Sequence, residues 1–166
     1  MCRFHARTLY DEPILAGLRY VWRLDDDSFI LRPVRYDVFR LMADRQIRYG
    51  YAMIGPECAP CIEGLWPAAD RYVDEHCLRQ RFQWPRDKVY HNNFEVSDLE
   101  LWRSREYRNF FDYIDRLGGI FYTRWGDHAI KTIAVTLFVL QNETHHFRND
   151  VCYSARLQNY AKIILQ

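Results

Sequence analysis

Apolar residues recur at helical spacing in four segments of the chain. The clearest is 106–117, where apolar side chains three or four positions apart form one face and Gly118 and Gly119 follow as stop signals. Pro67 fits the first turn of an earlier segment, and Asp127 has the chemistry of an N-cap for the last one. These patterns predict helices over 36–48, 65–82, 106–117 and 127–140.

Short apolar runs between these segments predict β-strands. They cover 19–24, 51–54, 94–96 and 120–122. Residues 55–64 contain two prolines and are predicted to form a loop, and Ser97 with Glu100 three residues later has the pattern of a helix capping box. Strands that alternate with helices are typical of an α/β domain with a mixed sheet flanked by helices.

Composition fits one folded domain. Of 166 residues, 49% are apolar and 16% aromatic, which is enough to form a core. The net charge of +1 comes without a basic stripe, so we expect no nucleic-acid partner. Residues 1–12 are too polar for a signal peptide, and no apolar run approaches the ~18 residues of a membrane span. We therefore expect a cytosolic protein or a fragment of a longer one.

Five cysteines leave at least one thiol unpaired within the chain. Cys58 and Cys61 have the CxxC spacing of redox and zinc sites, but the sequence has no second CxxC to complete a four-ligand zinc site. A pair of loop cysteines, disulfide-bonded in an oxidising compartment, is the simpler interpretation. Asn142 begins an N-glycosylation triplet, a pattern that is common by chance.

Asp25, Asp26 and Asp27 directly follow the first predicted strand. Ligands bind at the carboxyl ends of strands in open α/β sheets, and clustered carboxylates repel one another unless a cation or hydrogen-bond donors offset them. Mn²⁺ and Mg²⁺ prefer such oxygen ligands and share them with diphosphates. A solvated turn that caps backbone amides explains the same pattern, so the residues alone leave both interpretations open.

Glu95 stands between Phe94 and Val96, so strand alternation puts it on the opposite face of the sheet from them. If that face is solvent, the carboxylate is an ordinary surface group. If it lines a cleft, Glu95 is a candidate base, nucleophile or electrostatic stabiliser.

Two further segments contain candidate binding residues. Trp125, beside Gly126, could present a flat surface for a sugar ring, whose apolar C–H face packs on indole. Asn92 and Asn93 have the chemistry of turn formers more than of ligands. The six histidines show no metal-ligand spacing, so ordinary surface or core positions are expected for them.

Five stretches together resemble one known family. They are MCRF at 1–4, YVWRLDDD at 20–27, YDVFRLM at 36–42, NNFEVSDLELWRSREYRNFFDYIDRLGGIFYTRWGDHAI at 92–130 and HHFRND at 145–150. The family is glycosyltransferase family 15, the fungal-type α-1,2-mannosyltransferases of the Golgi. Stretch 92–130 is the specific part, and the resemblance covers nearly the whole chain up to about residue 153.

The resemblance implies a GT-A nucleotide-sugar fold, with residues 1–153 as part of a catalytic domain and 154–166 as a divergent tail. It implies retaining transfer of mannose from a GDP-mannose donor to a mannose hydroxyl on a glycoprotein glycan, with Mn²⁺ as cofactor. The implied location is the Golgi lumen, with a membrane anchor and the N-terminal part of the domain outside this chain.

Residue roles are implied by the family's motifs. Asp25 and Asp27 match the outer positions of its Glu-Pro-Asp motif and are implied to bind the metal and the diphosphate, with Asp26 in place of the proline. Glu95 matches the Glu of Asn-Phe-Glu, the family's proposed nucleophile, and is the implied catalytic residue. Substrate binding is implied for Asn93, Trp125, Gly126 and Asp127.

The sequence departs from the family pattern at two places. Tyr153-Ser154-Ala155 stands where the family has Tyr-His-His near the metal, and Val89-Tyr90-His91 stands where it has His-Phe-Trp. Two alternatives to GDP-mannose transfer therefore stay open. One is a catalytically inactive carbohydrate-binding or structural remnant of the fold, and the other is a transferase that uses another nucleotide sugar.

Overall fold

The computed structural model describes residues 2–147, 151 and 153–154. Within them the strands are β1 (Tyr20–Leu24), β2 (Phe29–Ile30), β3 (Tyr49–Tyr51), β4 (Ile54–Pro56), β5 (Lys88–Tyr90), β6 (Phe94–Asp98), β7 (Thr144–His146) and β8 (Tyr153–Ser154). The α-helices are α1 (Cys2–Ala6), α2 (Val38–Asp44), α3 (Leu65–Glu75), α4 (Leu99–Arg103), α5 (Arg105–Arg116), α6 (Gly119–Tyr122) and α7 (Asp127–Phe138). Short 3₁₀ helices cover Thr8–Asp11, Pro13–Leu15, Ala59–Ile62 and Gln141–Glu143.

The central sheet has four strands in the order β1-β6-β3-β7. Strand β6 is antiparallel to both of its neighbours, while β3 and β7 are parallel, so the sheet is mixed as the sequence predicts. Its register places Arg23 of β1 and Tyr51 of β3 on either side of Glu95 in β6. Strands β2 and β8 form one small ribbon, and β4 and β5 form another.

Both faces of the sheet are covered. Phe94 and Val96 of β6 pack with Val38 and Met42 of α2 in a smaller core. Glu95 points to the opposite face, where residues of α3, α4, α5 and α7 form the larger core. The alternation predicted for this strand is therefore confirmed, but the face that holds Glu95 is protein interior and not solvent.

Two long helices lie where the apolar spacing predicts them. The prediction over 106–117 is confirmed by α5, and the one over 127–140 by α7. Helix α5 begins at Arg105 and is capped by Ser104, whose side chain accepts a hydrogen bond from the Tyr107 N–H. Gly118 follows the end of the helix with a φ of +74°. The buried face of α5 consists of Tyr107, Phe110, Phe111 and Ile114.

Two other helices are shorter than predicted. Helix α2 occupies only the middle of 36–48, because Asp37 caps its start and Gln46 adopts a positive φ just after its end. Helix α3 stops at Glu75, and Cys77 adopts a positive φ there. A residue with positive φ cannot continue a right-handed helix, and neither Gln nor Cys signals that conformation in a sequence.

The strand predicted over 120–122 is wrong, because these residues belong to helix α6. The left-handed Gly118 accepts hydrogen bonds from the N–H groups of Phe121 and Tyr122, which satisfies the backbone locally. The prediction over 51–54 is wrong in part, since the run is divided between β3 and β4.

Both predicted helix caps are displaced by one residue. Ser97 lies inside β6, and the carboxylate of Asp98 accepts the Glu100 N–H as the cap of α4. Gly126 precedes α7, so Asp127 is the first helical residue and not the cap. An acidic side chain is stabilising both at the cap and in the first turn, because both lie near the positive end of the helix dipole. The sequence alone therefore does not decide which of these two positions it occupies.

The Cys58–Cys61 loop and the Asn142 triplet lie at the surface. Cys58 and Cys61 form a disulfide at the Ala59–Ile62 3₁₀ helix, with Cys58 directly before it and Cys61 inside it, which confirms the loop-cysteine interpretation. Asn142 is exposed within the Gln141–Glu143 turn. No helix among the described residues combines the length and apolar character needed to span a membrane.

Gly119 allows α6 to lie against the Trp125 ring. A Cβ added at Gly119 would stand 2.2 Å from a carbon of that ring. Gly119→Ala must therefore displace the indole, and we expect urea denaturation to show a loss of about 1–3 kcal/mol of unfolding free energy. Phe121→Ala, whose ring is 60% exposed in the same helix, is the control and should stay within about 0.5 kcal/mol of wild type. Equal losses in the two variants would contradict this packing.

Candidate functional site

The three aspartates form a turn at the end of β1. The Ser28 N–H donates to the Asp25 carbonyl at 3.0 Å, and the Asp25 N–H donates to the Asn93 carbonyl at 3.3 Å, which ties the turn to the start of β6. We call residues 25–28 the acidic turn. Asp25 is half-buried, whereas Asp26 and Asp27 are exposed. The residues therefore shape a turn and also present carboxylates at the surface.

Arg23 connects the acidic turn to the start of α7. Its guanidinium donates to the Asp127 carboxylate at 2.6 Å and lies 3.3 Å from an oxygen of Asp25. The side-chain amide of Asn92 donates to the same Asp127 oxygen at 2.6 Å. Asp25 and Asp127, which are 102 residues apart in sequence, thus lie around one arginine.

The charge of Asp127 is stabilised in this arrangement. Burial alone would raise the pKa of its carboxyl, but the charges of Arg23 and Lys131 and the hydrogen bond from Arg23 outweigh burial and hold the pKa below its usual value. Asp127 is therefore ionised throughout the neutral range.

Glu95 is enclosed on the sheet face opposite Phe94, with 1% of its surface exposed. One carboxylate oxygen accepts from Lys131 Nζ at 2.5 Å and from the Ser97 hydroxyl at 3.1 Å. The other accepts from the Tyr49 hydroxyl at 3.4 Å. Both oxygens therefore have protein donors, and neither is directed at solvent.

Lys131 is the partner that brings positive charge to Glu95. It projects from α7, has no exposed surface, and also donates to the Tyr10 hydroxyl at 2.7 Å. Burial lowers the pKa of Lys131, and the neighbouring Glu95 carboxylate opposes that effect. Its ammonium stands 4.5 Å from the centre of the Trp102 ring, a distance at which cation–π attraction is significant.

The candidate substrate residues have different surroundings. Trp125 is only 6% exposed, and its indole N–H donates to the Glu63 carbonyl at 2.8 Å, so its ring is packed in the core and does not present a stacking surface. Gly126 is the residue before α7, close to the His128 ring. The side-chain oxygen of Asn93 is buried without a hydrogen-bond partner among the described residues.

No group of three or more His, Cys, Asp or Glu side chains suited to a metal occurs among the described residues. His128 pairs with Glu57, near His91. Tyr153 and Ser154 of the departing motif pair with β2, whereas Ala155 and the rest of 155–166 lie outside the described residues.

Sequence reasoning missed Arg23, Lys131 and Asn92, which hold the carboxylates in place. Lys131 carried a usable signal, because it is the single Lys or Arg in the otherwise apolar or uncharged run 129–138. A lone charge on a helix that is apolar all round has to find a buried partner. The partner itself lies 36 positions earlier in the chain, and no pattern indicates that distance.

Comparisons with known proteins identify relatives across most of the chain. A family model described as glycolipid 2-alpha-mannosyltransferase matches residues 1–162. The chain is 33% identical to the alpha-1,2 mannosyltransferase KTR1 of Saccharomyces cerevisiae, over 92% of this chain and 42% of that protein. It is also 33% identical to glycolipid 2-alpha-mannosyltransferase 1 of Candida albicans, over 92% of this chain and 38% of that protein.

Solved structures give the same result. The core-mannan synthase A of Aspergillus fumigatus, in an Mn/GDP form, matches with a TM-score of 0.87 and 29% identity, over 93% of this chain and 46% of that one. The mannosyltransferase Ktr4p of S. cerevisiae in complex with GDP matches with a TM-score of 0.86 and 31% identity, over 93% and 44%. The predicted α/β fold is thereby confirmed, and the chain spans less than half the length of these relatives.

Asp127 should make stability depend on pH. Because its folded pKa is below the ordinary value near 4, its ionised form stabilises the protein above that pH, and the contribution is lost as pH falls through the folded pKa. We expect Asp127→Asn to lose about 2 kcal/mol of unfolding free energy at pH 7, since Arg23 loses the closer of its two carboxylate partners, and the deficit to shrink in acid.

Denaturation series from pH 7 down to pH 3 would measure this. Asp70→Asn, which breaks the exposed ion pair with Arg86, is the matched control and should lose at most about 1 kcal/mol. A deficit of Asp127→Asn that stays constant across the series would show that the carboxylate charge is not stabilised by its neighbours.

Proposed function

The chain belongs to the glycolipid 2-alpha-mannosyltransferase family, and from that premise we propose that it transfers mannose from GDP-mannose to a mannose hydroxyl on a glycoprotein glycan, with Mn²⁺ and with retention of configuration. One observation carries the proposal. The acidic turn lies beside a buried network of opposite charges that contains Asp127 and Glu95, at the end of a strand where open sheets bind ligands. The GDP and Mn/GDP forms of similar structures support the same donor and metal.

Charge balance at this place fits a divalent cation. Five carboxylates lie here, those of Asp25, Asp26 and Asp27 in the acidic turn together with Glu95 and Asp127. Arg23 pairs with Asp25 and Asp127, and Lys131 pairs with Glu95. A cluster with this many carboxylates favours a divalent cation, whose charge offsets their mutual repulsion. The Asp25 side chain is 40% exposed, and its contact with Arg23 is a long one at 3.3 Å. Its carboxylate oxygens therefore stay accessible to a cation.

Asp25 and Asp27 would hold the Mn²⁺ together with oxygens of the GDP diphosphate. Carboxylate oxygens are ligands that this ion accepts, and a site with few protein ligands is common where a diphosphate completes the set. The ion supplies stabilisation of the charge that develops on the leaving diphosphate. Asp26 is adjacent and exposed, and we assign it no ligand role.

Glu95 is the proposed catalytic carboxylate, with an electrostatic role. The transition state of sugar transfer carries positive charge on the ring, and a fixed negative group near it lowers the barrier. Both oxygens of Glu95 accept hydrogen bonds from the protein, which favours this role over attack on the sugar as a nucleophile.

The remaining candidates would position the sugars. The Asn93 side-chain oxygen, for which the described residues provide no donor, would accept a hydrogen bond from a sugar hydroxyl, and a buried acceptor without a donor is otherwise costly. Asp127 and Gly126 lie at the start of α7, where carboxylate and backbone groups converge. Trp125 contributes by fixing this segment against Gly119 and Glu63 and not by stacking on a sugar.

A Golgi lumenal location is part of the proposal. The Cys58–Cys61 disulfide is of the kind that persists in oxidising compartments, and the exposed Asn142 triplet is compatible with passage through the secretory pathway. Neither the disulfide nor the triplet includes a residue proposed to bind the donor, so they support the location separately from the proposed activity.

A second candidate function is binding of a nucleotide sugar or glycan without transfer. The enclosure of Glu95 favours it, because a carboxylate with 1% of its surface exposed does not contact a substrate without local rearrangement. The same site residues would then recognise the ligand and perform no chemistry. Transfer of a sugar from a different nucleotide is a third possibility, which a comparison of several nucleotide-sugar donors distinguishes from transfer of mannose.

The test is mannose transfer by the purified chain with Mn²⁺, a mannoside acceptor and either GDP-mannose, GDP-glucose or UDP-glucose. We expect transfer from GDP-mannose, and Asp25→Asn and Asp27→Asn should each lower kcat about 100-fold, since each removes a ligand that stabilises the leaving group. Asp26→Asn removes the same charge from the same turn and should stay near wild type.

Three results would count against the proposal. An equal loss in Asp26→Asn would show that the turn acts only through net charge. Thermal stabilisation by GDP and Mn²⁺ without transfer would favour the binding function, because a ligand of the native state must raise the midpoint. Transfer only from another donor would replace GDP-mannose.

A further inference from the structure

Lys131 and its partner Glu95 are both enclosed charged side chains. Lys131 has 0% of its residue surface exposed and lies between the sheet and the larger helical core. Its three close neighbours are the Glu95 carboxylate, the Tyr10 hydroxyl and the Trp102 ring. Its ammonium therefore cannot touch a substrate, and any effect on one must pass through a neighbour.

Fold stability alone does not explain a lysine here. Taking an ammonium and a carboxylate out of water costs more free energy than their attraction generally returns, and apolar residues of similar size are often at least as stable. Helix α7 does not need a charge to pack, since Ile130, Ile133 and Ala134 are buried in it as apolar residues. The charge is thus present at a cost that another role should justify.

The donors around Glu95 fix its orientation. Lys131 and Ser97 both donate to one oxygen, and Tyr49 donates to the other. Ser97 is itself held in place, because its hydroxyl accepts a hydrogen bond from the Trp102 indole at 2.8 Å and so directs its own hydrogen at Glu95. Among these donors, Lys131 is the one that carries a full positive charge.

Lys131 also acts on the second carboxylate of the site. Asp127 is four residues earlier in α7, which places the two side chains on the same face of the helix. The charge of Lys131 helps to hold the pKa of Asp127 below its usual value. One ammonium thus stabilises the charge of Glu95 from the sheet and of Asp127 from the helix.

We propose that Lys131 is a positioning residue of the transfer site, which acts through Glu95 by fixing the direction and the negative charge of that carboxylate. The inference rests on the proposed mannosyl transfer and adds to it a residue that the family motifs do not contain. Because the ammonium contacts the Glu95 carboxylate and is itself enclosed, we expect Lys131 to affect the rate of the chemical step and to have little effect on donor binding.

Kinetics of variants at the pair would test the proposal. Lys131→Met removes the charge and the hydrogen bond, and Lys131→Gln keeps a hydrogen-bond donor without the charge. We expect kcat per folded molecule to fall about 10- to 100-fold, the cost typical of losing a partner that orients a catalytic group, with the KM for GDP-mannose nearly unchanged. In a Glu95→Gln background, Lys131→Met should cause no further loss.

Folded fractions from urea denaturation separate a kinetic effect from a structural one. Thr136→Val, a buried polar substitution in the same helix, is the matched control and should change stability but not kcat. If Lys131→Met does not fold, Lys131→Gln and the Lys131→Met/Glu95→Gln double variant, which leaves no unpaired charge, give the same comparison.

Three outcomes would overturn the positioning role. A wild-type kcat per folded molecule in the Lys131 variants would make the residue purely structural. A loss that multiplies with that of Glu95→Gln would show that Lys131 does not act through Glu95. Absence of transfer by the wild-type chain would instead remove the proposed function itself, and the positioning role with it.

Discussion

The buried ion pair between Glu95 and Lys131 is the interaction on which the arrangement of the site depends. It joins β6 to the first half of α7, and so fixes how the sheet and this helix are placed relative to each other. The start of α7 carries Asp127, and the strand next to β6 carries Arg23. The Glu95–Lys131 pair therefore helps to hold Arg23 and Asp127 close enough for their own ion pair.

Charges become less accessible from the acidic turn inward. Asp27 is exposed, Asp25 and Asp127 are partly buried, and Glu95 and Lys131 are enclosed. Asp25, Asp127 and Glu95 each have a cationic partner, as low-dielectric surroundings require. The turn at the surface adds the exposed carboxylates of Asp26 and Asp27. A site of this form can receive a cation and a diphosphate at its rim without exposing its interior.

Sequence patterns predicted the elements whose signals are local. Apolar spacing located α5 and α7, and period-two alternation placed Glu95 opposite Phe94. The pattern failed after α2, where Gln46 adopts a positive φ that its residue type does not indicate. It also failed at 120–122, where hydrogen bonds to the Gly118 carbonyl make a β-branched and aromatic run helical as α6. The partners of the carboxylates were missed because Arg23, Asn92 and Lys131 are brought together only by tertiary packing.

A double-mutant cycle on the pair tests the central claim most directly. Unfolding free energies would be measured in urea for wild type, Glu95→Gln, Lys131→Met and the double variant. Each single change should cost about 3–5 kcal/mol, because it leaves one buried charge without a partner. The double variant should lose less than the sum of the two by about 1–3 kcal/mol. Losses that add within about 0.5 kcal/mol would show that the two side chains do not act as a unit and would contradict this account of the site.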